Sequence, residues 1–396
     1  MYPTITLKAG RGNPLVTRHP WIFTGAISTV PAGVKHGDIV RVATLDEEPV
    51  GTGFYSSKSM IAVRLVDFGS PELDRNWLKR SILAAEKHRR LLGLSIDSAG
   101  GPAYRMVFGE SDWLPGLVID RYGDILVVQI SIAGIERLRE DIVTTLVELF
   151  SPHAIYERSD SPSRVEEGLE LRSGSMFGPV PTLAPFCEGP VLFAADIVEG
   201  QKTGFFLDQR RLRDRIRSLS TSRKVLDLFS YTGASGISAL MGGALHTTFV
   251  DSSATALAGV QRHAEMNGFK SDRFAVEEAD VFQWLGARET PEFDMVLLDP
   301  PALIKSRKHA ESGRKGYHFL NRAALRLVVD GGILVSSSCS AHFSEDDLRV
   351  TLRRAAEQSG ARLHVLDTVS QADDHPVSLY FPEAHYLKSF ICRVER

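Results

Sequence analysis

The sequence predicts an α/β protein in which a doubly wound sheet follows a small β barrel and a small central α+β unit. Three observations carry that reading. The first 68 or so residues hold short β-type runs and no convincing helical period. The middle of the chain mixes strand-like runs with one helical stretch. After residue 190 strand and helix alternate strictly, the pattern of a doubly wound parallel sheet. At 396 residues and 43% hydrophobic, the chain can bury a large core and is too long for one ordinary domain.

In order, DIVRVATL, GTGFY and MIAVRLV supply the β runs of the amino-terminal part, separated by Gly, Pro and Asp. Glu72 to Leu92 predicts a connecting helix, with Leu78, Ile82, Ala85 and Leu92 on one apolar stripe. RMVFGE, GLVIDRYGDILVVQISI and AIYERSD read as strands around a helix over Ile135 to Phe150, with YGD as a hairpin turn. Ser173 to Pro190 is rich in Pro and Gly and reads as the break before the alternating part. The strands of that part are KVLDLF, HTTFVD, RFAVEEAD, FDMVLLD, GGILVSSSC, ARLHVLD and KSFICRV. The expected division is a barrel over 1–70, a connecting helix over 71–96, a central unit over 97–188 and the doubly wound unit over 189–396.

Composition narrows the function classes. No apolar run approaches the 18 or so residues of a membrane span, and no signal segment opens the chain, so a cytoplasmic protein without membrane partners is expected. Cys187, Cys339 and Cys392 are scattered without CxxC spacing, which suggests neither a disulfide framework nor a metal site. A net charge of −3 exerts no global pull on nucleic acid, so such a partner would need local patches. Two candidates exist: Lys8, Arg11, Arg18 and Lys35 precede the first acid, Asp38, and seven cations from Arg210 to Lys224 face only Asp214. Oligomeric state is left open, a homodimer included.

Ligands of open α/β sheets sit beyond the carboxyl ends of the strands. Here those ends carry Asp227, Asp251, Asp280, Asp299 and Cys339. One such Asp is usually a helix cap; five functional groups in succession ask for more. In VLDLFSYTGASG, Gly233 and Gly236 open the next helix and let a ligand approach the backbone. Asp251 follows Asp227 by 24 residues, close to the distance at which an acid accepts ribose hydroxyls. Neither GxGxxG nor GxxxxGK[ST] is present, so a cofactor with a ribose, an adenine and a charged amino-acid tail fits better than a dinucleotide or a triphosphate.

DLFSYTGASG, FVD, EEADVF and VLLDPPA resemble the cofactor motifs of class I S-adenosylmethionine-dependent methyltransferases, with their Rossmann-like sheet. GQKTGFFLDQRRLR at 200–213 and GRGNPLVTRHPWIFTGAI at 10–27 resemble a narrower group, the bacterial methyltransferases with a PUA domain that modify cytosine C5 in large-subunit ribosomal RNA. The resemblance implies an amino-terminal PUA-like barrel that binds RNA, S-adenosylmethionine as cofactor and ribosomal RNA as partner. It places Asp227 at the cofactor's amino-acid end, Asp251 at the ribose and Asp280 near the adenine. Phe229, Ser230, Gly233, Ser252, Val281 and Gln209 join the cofactor set.

The same resemblance makes Cys339, in SSCS, the nucleophile. C5 of cytosine is a poor nucleophile until a thiolate adds to C6 and breaks the ring conjugation, and sulfur both attacks and leaves well. Asp299 of DPPA is the second catalytic candidate, a carboxyl that hydrogen-bonds near N3 as charge develops there. Pro301 stands where some relatives carry a second cysteine, so a two-cysteine release is unavailable and the base for the C5 proton is unassigned. Pro300, Lys315, Tyr317, Arg18 and Arg210 are the candidate RNA contacts; Lys315 and Tyr317 read equally as a helix-start cap with a packed tyrosine. His19 and Trp21 are weaker RNA candidates, Trp21 reading better as barrel core. His375 matches a position near the site or is structural. Two other functions stay open: N-methylation of an exocyclic amine by the DPPA motif without a thiol, and a non-catalytic RNA-binding assembly factor.

Overall fold

The computed structural model describes residues 2–11, 17–69, 72–74, 76–94, 101–304 and 306–396, with the backbone alone of residue 307. Residues 12–16 of the amino-terminal motif lie outside that set. The chain divides into two compact units, one of residues 1–186, 194–207 and 373–384, the other of 187–193, 208–372 and 385–396. Both are discontinuous in sequence. Among the described residues, no helix is long and apolar enough to cross a membrane.

The first unit opens with a six-stranded sheet: β1 (Thr4–Leu7), β2 (Trp21–Phe23), β3 (Ile27–Thr29), β4 (Ile39–Ala43), β5 (Pro49–Tyr55) and β6 (Ile61–Phe68), in the order β2-β6-β5-β4-β1-β3. Its core is Ile5, Leu7, Ile22, Val40, Val42, Val50, Val63 and Leu65, the alternate inward positions of each strand. Helix α1 (Trp77–Leu91) follows. It is shorter than expected, and Leu92 lies beyond its end, 39% exposed. The stripe is completed instead by Arg89, fully buried, which reaches Asp112 Oδ1 at 2.7 Å and the Asp374 carbonyl at 2.8 Å.

The central part is a second sheet of β7 (Tyr104–Phe108), β8 (Leu117–Tyr122), β9 (Ile125–Ile130), β10 (Ala154–Ser159) and β11 (Arg172–Phe177), ordered β11-β10-β9-β8-β7. Gly123 turns the β8–β9 hairpin at φ +61. The single helix expected over Ile135 to Phe150 is two, α2 (Ala133–Glu136) and α3 (Arg139–Phe150). A short α4 (Pro162–Glu166) precedes β11. The Pro- and Gly-rich stretch is not plain loop, since it holds most of β11 and all of β12 (Leu183–Glu188), the latter paired with β13 (Val191–Asp196).

In the second unit, α5 (Arg210–Leu219) leads into a seven-stranded sheet. Its elements run β14 (Lys224–Leu228), α6 (Ala234–Met241), β15 (His246–Asp251), α7 (Ala254–Met266), β16 (Phe274–Glu278), α8 (Val281–Gly286), β17 (Phe293–Leu298), α9 (Ala310–Leu327), β18 (Val328–Ser338), α10 (Glu345–Gln358), β19 (Arg362–Ser370) and β20 (Lys388–Glu395). The order is β16-β15-β14-β17-β18-β20-β19, with the first five parallel. β20 is antiparallel to both β18 and β19, so the sheet is mixed, not all parallel. The reason is local: no crossover helix separates β19 from β20, and without one a strand cannot return in the parallel sense. The order reverses between β14 and β17, the switch point at which such sheets bind ligands.

Candidate active site

Parallel register fixes the geometry of the carboxyl edge. Leu228 of β14 pairs with Leu298 of β17, and Leu298 pairs with Ser336 of β18. Neighbouring strands lie about 4.8 Å apart. Asp299, one residue past β17, and Cys339, one past β18, are therefore on adjacent strand ends beside the loop that leaves β14. Asp251 and Asp280 follow on β15 and beyond β16.

The β14 loop is strained. Phe229 and Tyr231 both adopt positive φ, +58 and +49, a conformation costly for side-chain-bearing residues and concentrated at functional sites. Gly233 sits at φ +78, and a Cβ on Gly236 would lie 2.2 Å from the Phe249 ring. Asp227 is buried and accepts the Gly236 N–H at 2.8 Å. Burial pushes its carboxyl well above the usual range, and the charges of Asp299 and Asp251 push it further; the Gly236 hydrogen bond opposes them. Asp251 accepts from the backbone N–H groups of Tyr231 at 2.9 Å and Ser253 at 3.0 Å. Two buried hydroxyls in this loop, Ser230 Oγ and Thr232 Oγ1, have no partner within the protein. Buried hydroxyls of this kind take their partner from water or a bound group.

Other candidates fall less simply. Asp280 is exposed and caps α8, accepting from Gln283 N at 2.9 Å. Val281 is buried in the main apolar core, so any contact it makes with a ligand falls to its backbone. Ser252 is exposed and Pro300 is buried. Gln209 and Asp299, 90 residues apart in sequence, are brought together: Gln209 Nε2 donates to Asp299 Oδ2 at 2.6 Å.

The serines around Cys339 are all bonded. Ser336 Oγ donates to Asn321 Oδ1 at 2.7 Å, Ser337 Oγ meets Ser389 Oγ at 2.7 Å, and Ser338 Oγ donates to the Tyr317 hydroxyl at 2.9 Å. Ser340 Oγ is 2.9 Å from the same hydroxyl and accepts the Ile304 N–H from the DPPA loop at 3.2 Å. A buried polar run is tolerable only when satisfied in this way. Cys339 itself is half-buried; Cys392 is buried, and burial pushes its thiol up to about 12. None of the three cysteines forms a disulfide.

Several expected RNA contacts need correction. Tyr317 is fully buried, stacked on Phe343 at 4.4 Å, and so offers no face to a base. Lys315 and Tyr317 lie inside α9, not at a helix start, and Lys315 is exposed and paired with Glu311 at 2.8 Å. The basic cluster from Arg210 to Lys224 is largely neutralised, mostly by acids from outside it. Arg210 and Arg213 share Glu188, Arg215 meets Asp367, Arg217 meets Asp214 and Lys224 meets Glu292. Trp21 is not barrel core but half-buried, its Nε1 donating to Glu110 at 2.8 Å. His19 pairs with Glu383 at 3.1 Å, and Arg18 is exposed with its guanidinium 5.9 Å from the Phe68 ring. His375 is buried against Phe108 with Nδ1 on Asp374, a structural setting.

Sequence reasoning missed Asn321, Ser389 and Lys388 as parts of the Cys339 surroundings. Lys388 left one signal, a cation at the head of KSFICRV, just before its apolar stretch Phe390–Cys392.

The sheet order, the strained loop at its switch point and the acids along its edge define a class I methyltransferase. Residues 172–385 match the family model described as S-adenosylmethionine-dependent methyltransferase, and residues 5–68 match the PUA-like domain. The chain is 36% identical over 398 residues to "Ribosomal RNA large subunit methyltransferase I" of Klebsiella pneumoniae, covering 100% of this chain and 99% of that one. It is 37% identical to the protein of the same name from Serratia proteamaculans, over 98% of each. A solved chain from Streptococcus mutans shares the fold with a TM-score of 0.83 at 22% identity, covering 99% of this chain and 100% of that one. The chain thus belongs to the S-adenosylmethionine-dependent methyltransferases, and within them to the family of ribosomal RNA large subunit methyltransferase I. The partnerless hydroxyls of Ser230 and Thr232 and the crowded carboxylates fit a cofactor bearing hydroxyls and positive charge.

Proposed function

We propose that this protein methylates C5 of a cytidine in large-subunit ribosomal RNA through a transient bond from Cys339 to C6. The observation that carries the reading is the placement of Cys339 and Asp299 on adjacent strand ends beside the cofactor loop. Bound S-adenosylmethionine supplies an electrophilic methyl group. Asp227 takes the cofactor's ammonium end, Asp251 its ribose hydroxyls, and Asp280 and the Val281 backbone its adenine side; Phe229, Ser230, Gly233 and Ser252 complete the cradle.

The Cys339 thiolate forms a bond to C6, and the ring's displaced electron pair makes C5 nucleophilic. Gln209 fixes one Asp299 oxygen as an acceptor. A proton shared between the Asp299 carboxyl and N3 offsets the negative charge that develops on the ring. After C5 is methylated its proton passes to solvent, the C–H electron pair re-forms the C5–C6 double bond, and the S–C6 bond breaks to restore the thiolate. Buried Pro300 stiffens the Asp299 loop. The PUA-like unit, with Arg18 on its surface, supports RNA as the partner, and the relatives' names support ribosomal RNA.

The test is turnover and product identity. Nucleoside mass spectrometry of treated large-subunit RNA should show 5-methylcytidine, and Cys339→Ser should lose nearly all activity while binding cofactor normally. Substantial turnover by that variant, or methylation of an exocyclic amine, would refute the thiol route.

A further inference from the structure

Lys388 opens β20 and is the cross-strand partner of Ser338, the residue before Cys339. It is 6% exposed. Its Nζ donates to the carbonyl of Ser340, the residue after Cys339, at 2.7 Å and to that of Tyr386, just before its own strand, at 3.0 Å, so the ammonium is held against the cysteine loop. A buried ammonium is costly unless negative charge compensates it. Among the described residues, no carboxylate comes within ion-pair reach of it. The groups whose ionised forms would favour the ammonium are Cys339 and Asp347. Asp347 already pairs with Arg314 at 2.7 Å and caps α10. The remaining titratable neighbour is Tyr317 on α9, whose hydroxyl is engaged by Ser338 and Ser340.

We infer that Lys388 is a positioning residue whose clamped ammonium holds Cys339 as the thiolate, its S–H proton passing to solvent. No electron transfer is involved. Burial lowers the Lys388 ammonium's affinity for its proton, and a thiolate at Cys339 would oppose that loss. The partnership explains why a lysine occupies a site otherwise suited to an apolar residue. Its catalytic meaning rests on the reading of Cys339 as nucleophile.

The experiment is iodoacetamide alkylation of the full-length protein across pH, with each cysteine followed by peptide mass spectrometry. Lys388→Gln keeps a donor for the two carbonyls but removes the charge. Its Cys339 alkylation near neutral pH should fall about tenfold, with the inflection moved to higher pH, while Cys187 is unchanged. Lys388→Arg should restore most of the rate. An unmoved Cys339 curve in folded Lys388→Gln overturns the inference.

If the Gln variant does not fold, the reciprocal measurement decides. In Cys339→Ser the Lys388 ε-carbon signal should titrate at lower pH than in wild type, and an unchanged midpoint overturns the inference. Alkylation involves no RNA. A shifted curve combined with full turnover by Cys339→Ser would therefore defeat the nucleophile while leaving the pair standing; an unshifted curve with an inactive Cys339→Ser would do the reverse.

Discussion

At the scale of single residues, the site is built from groups held in unfavourable states. Asp227 is the clearest. Its folded carboxyl titrates above its unfolded value, so its contribution to stability is present below the unfolded pKa and lost as pH rises through the folded one. Asp227→Asn should therefore raise the melting temperature of the cofactor-free protein by a few degrees near neutral pH, with the gain shrinking under mildly acidic conditions. The same change should abolish cofactor binding by calorimetry. A lower melting temperature near neutral pH would contradict this account of the loop. Tyr317 tests the other half of the site. Tyr317→Phe removes the hydroxyl shared by Ser338 and Ser340. The expected cost is about 1–3 kcal/mol in chemical denaturation, and kcat should fall with cofactor affinity unchanged; equal loss of both would mean the network supports the whole sheet edge.

At the scale of elements, the strand ends were legible because parallel strands buried on both faces read as apolar runs that stop at a polar residue. Asp251, Asp299 and Cys339 follow from that, whereas Asp227 lies one residue inside the end of β14. What the sequence hid depends on register and side-chain reach. Tyr317 resembles an exposed stacking residue because its helix begins earlier than its local glycines suggest. The cations of 210–224 look unopposed until Glu188, Asp367 and Glu292 arrive from distant segments. Helix α1 shows the same limit: its fourth inward position is an arginine, which no apolar pattern can flag. Arg89→Met should still destabilise the protein by about 3–5 kcal/mol, because Asp112 is left buried without its cation. Denaturant titration measures it, and a cost near zero would mean that Asp112 finds solvent or another donor.

At the scale of the whole molecule, the two units are interleaved in sequence: residues 194–207 and 373–384 belong to the first although the second surrounds them in the chain. A linear reading sees only composition shifts and so places one boundary near 189. A fragment starting at residue 189 carries both segments without the rest of the unit that buries them. It should melt without a cooperative transition, whereas a sharp transition would show that the catalytic unit is autonomous. The central claim, that the sulfur of Cys339 bonds to C6 of a cytosine, is tested most directly with large-subunit RNA containing 5-fluorocytidine at the target, whose fluorine blocks the last proton loss. With cofactor present, the wild-type protein should form an RNA adduct that survives denaturing electrophoresis, mapped to Cys339 and absent from Cys339→Ala. An active wild-type enzyme that forms no adduct, or an adduct that persists in Cys339→Ala, would contradict it.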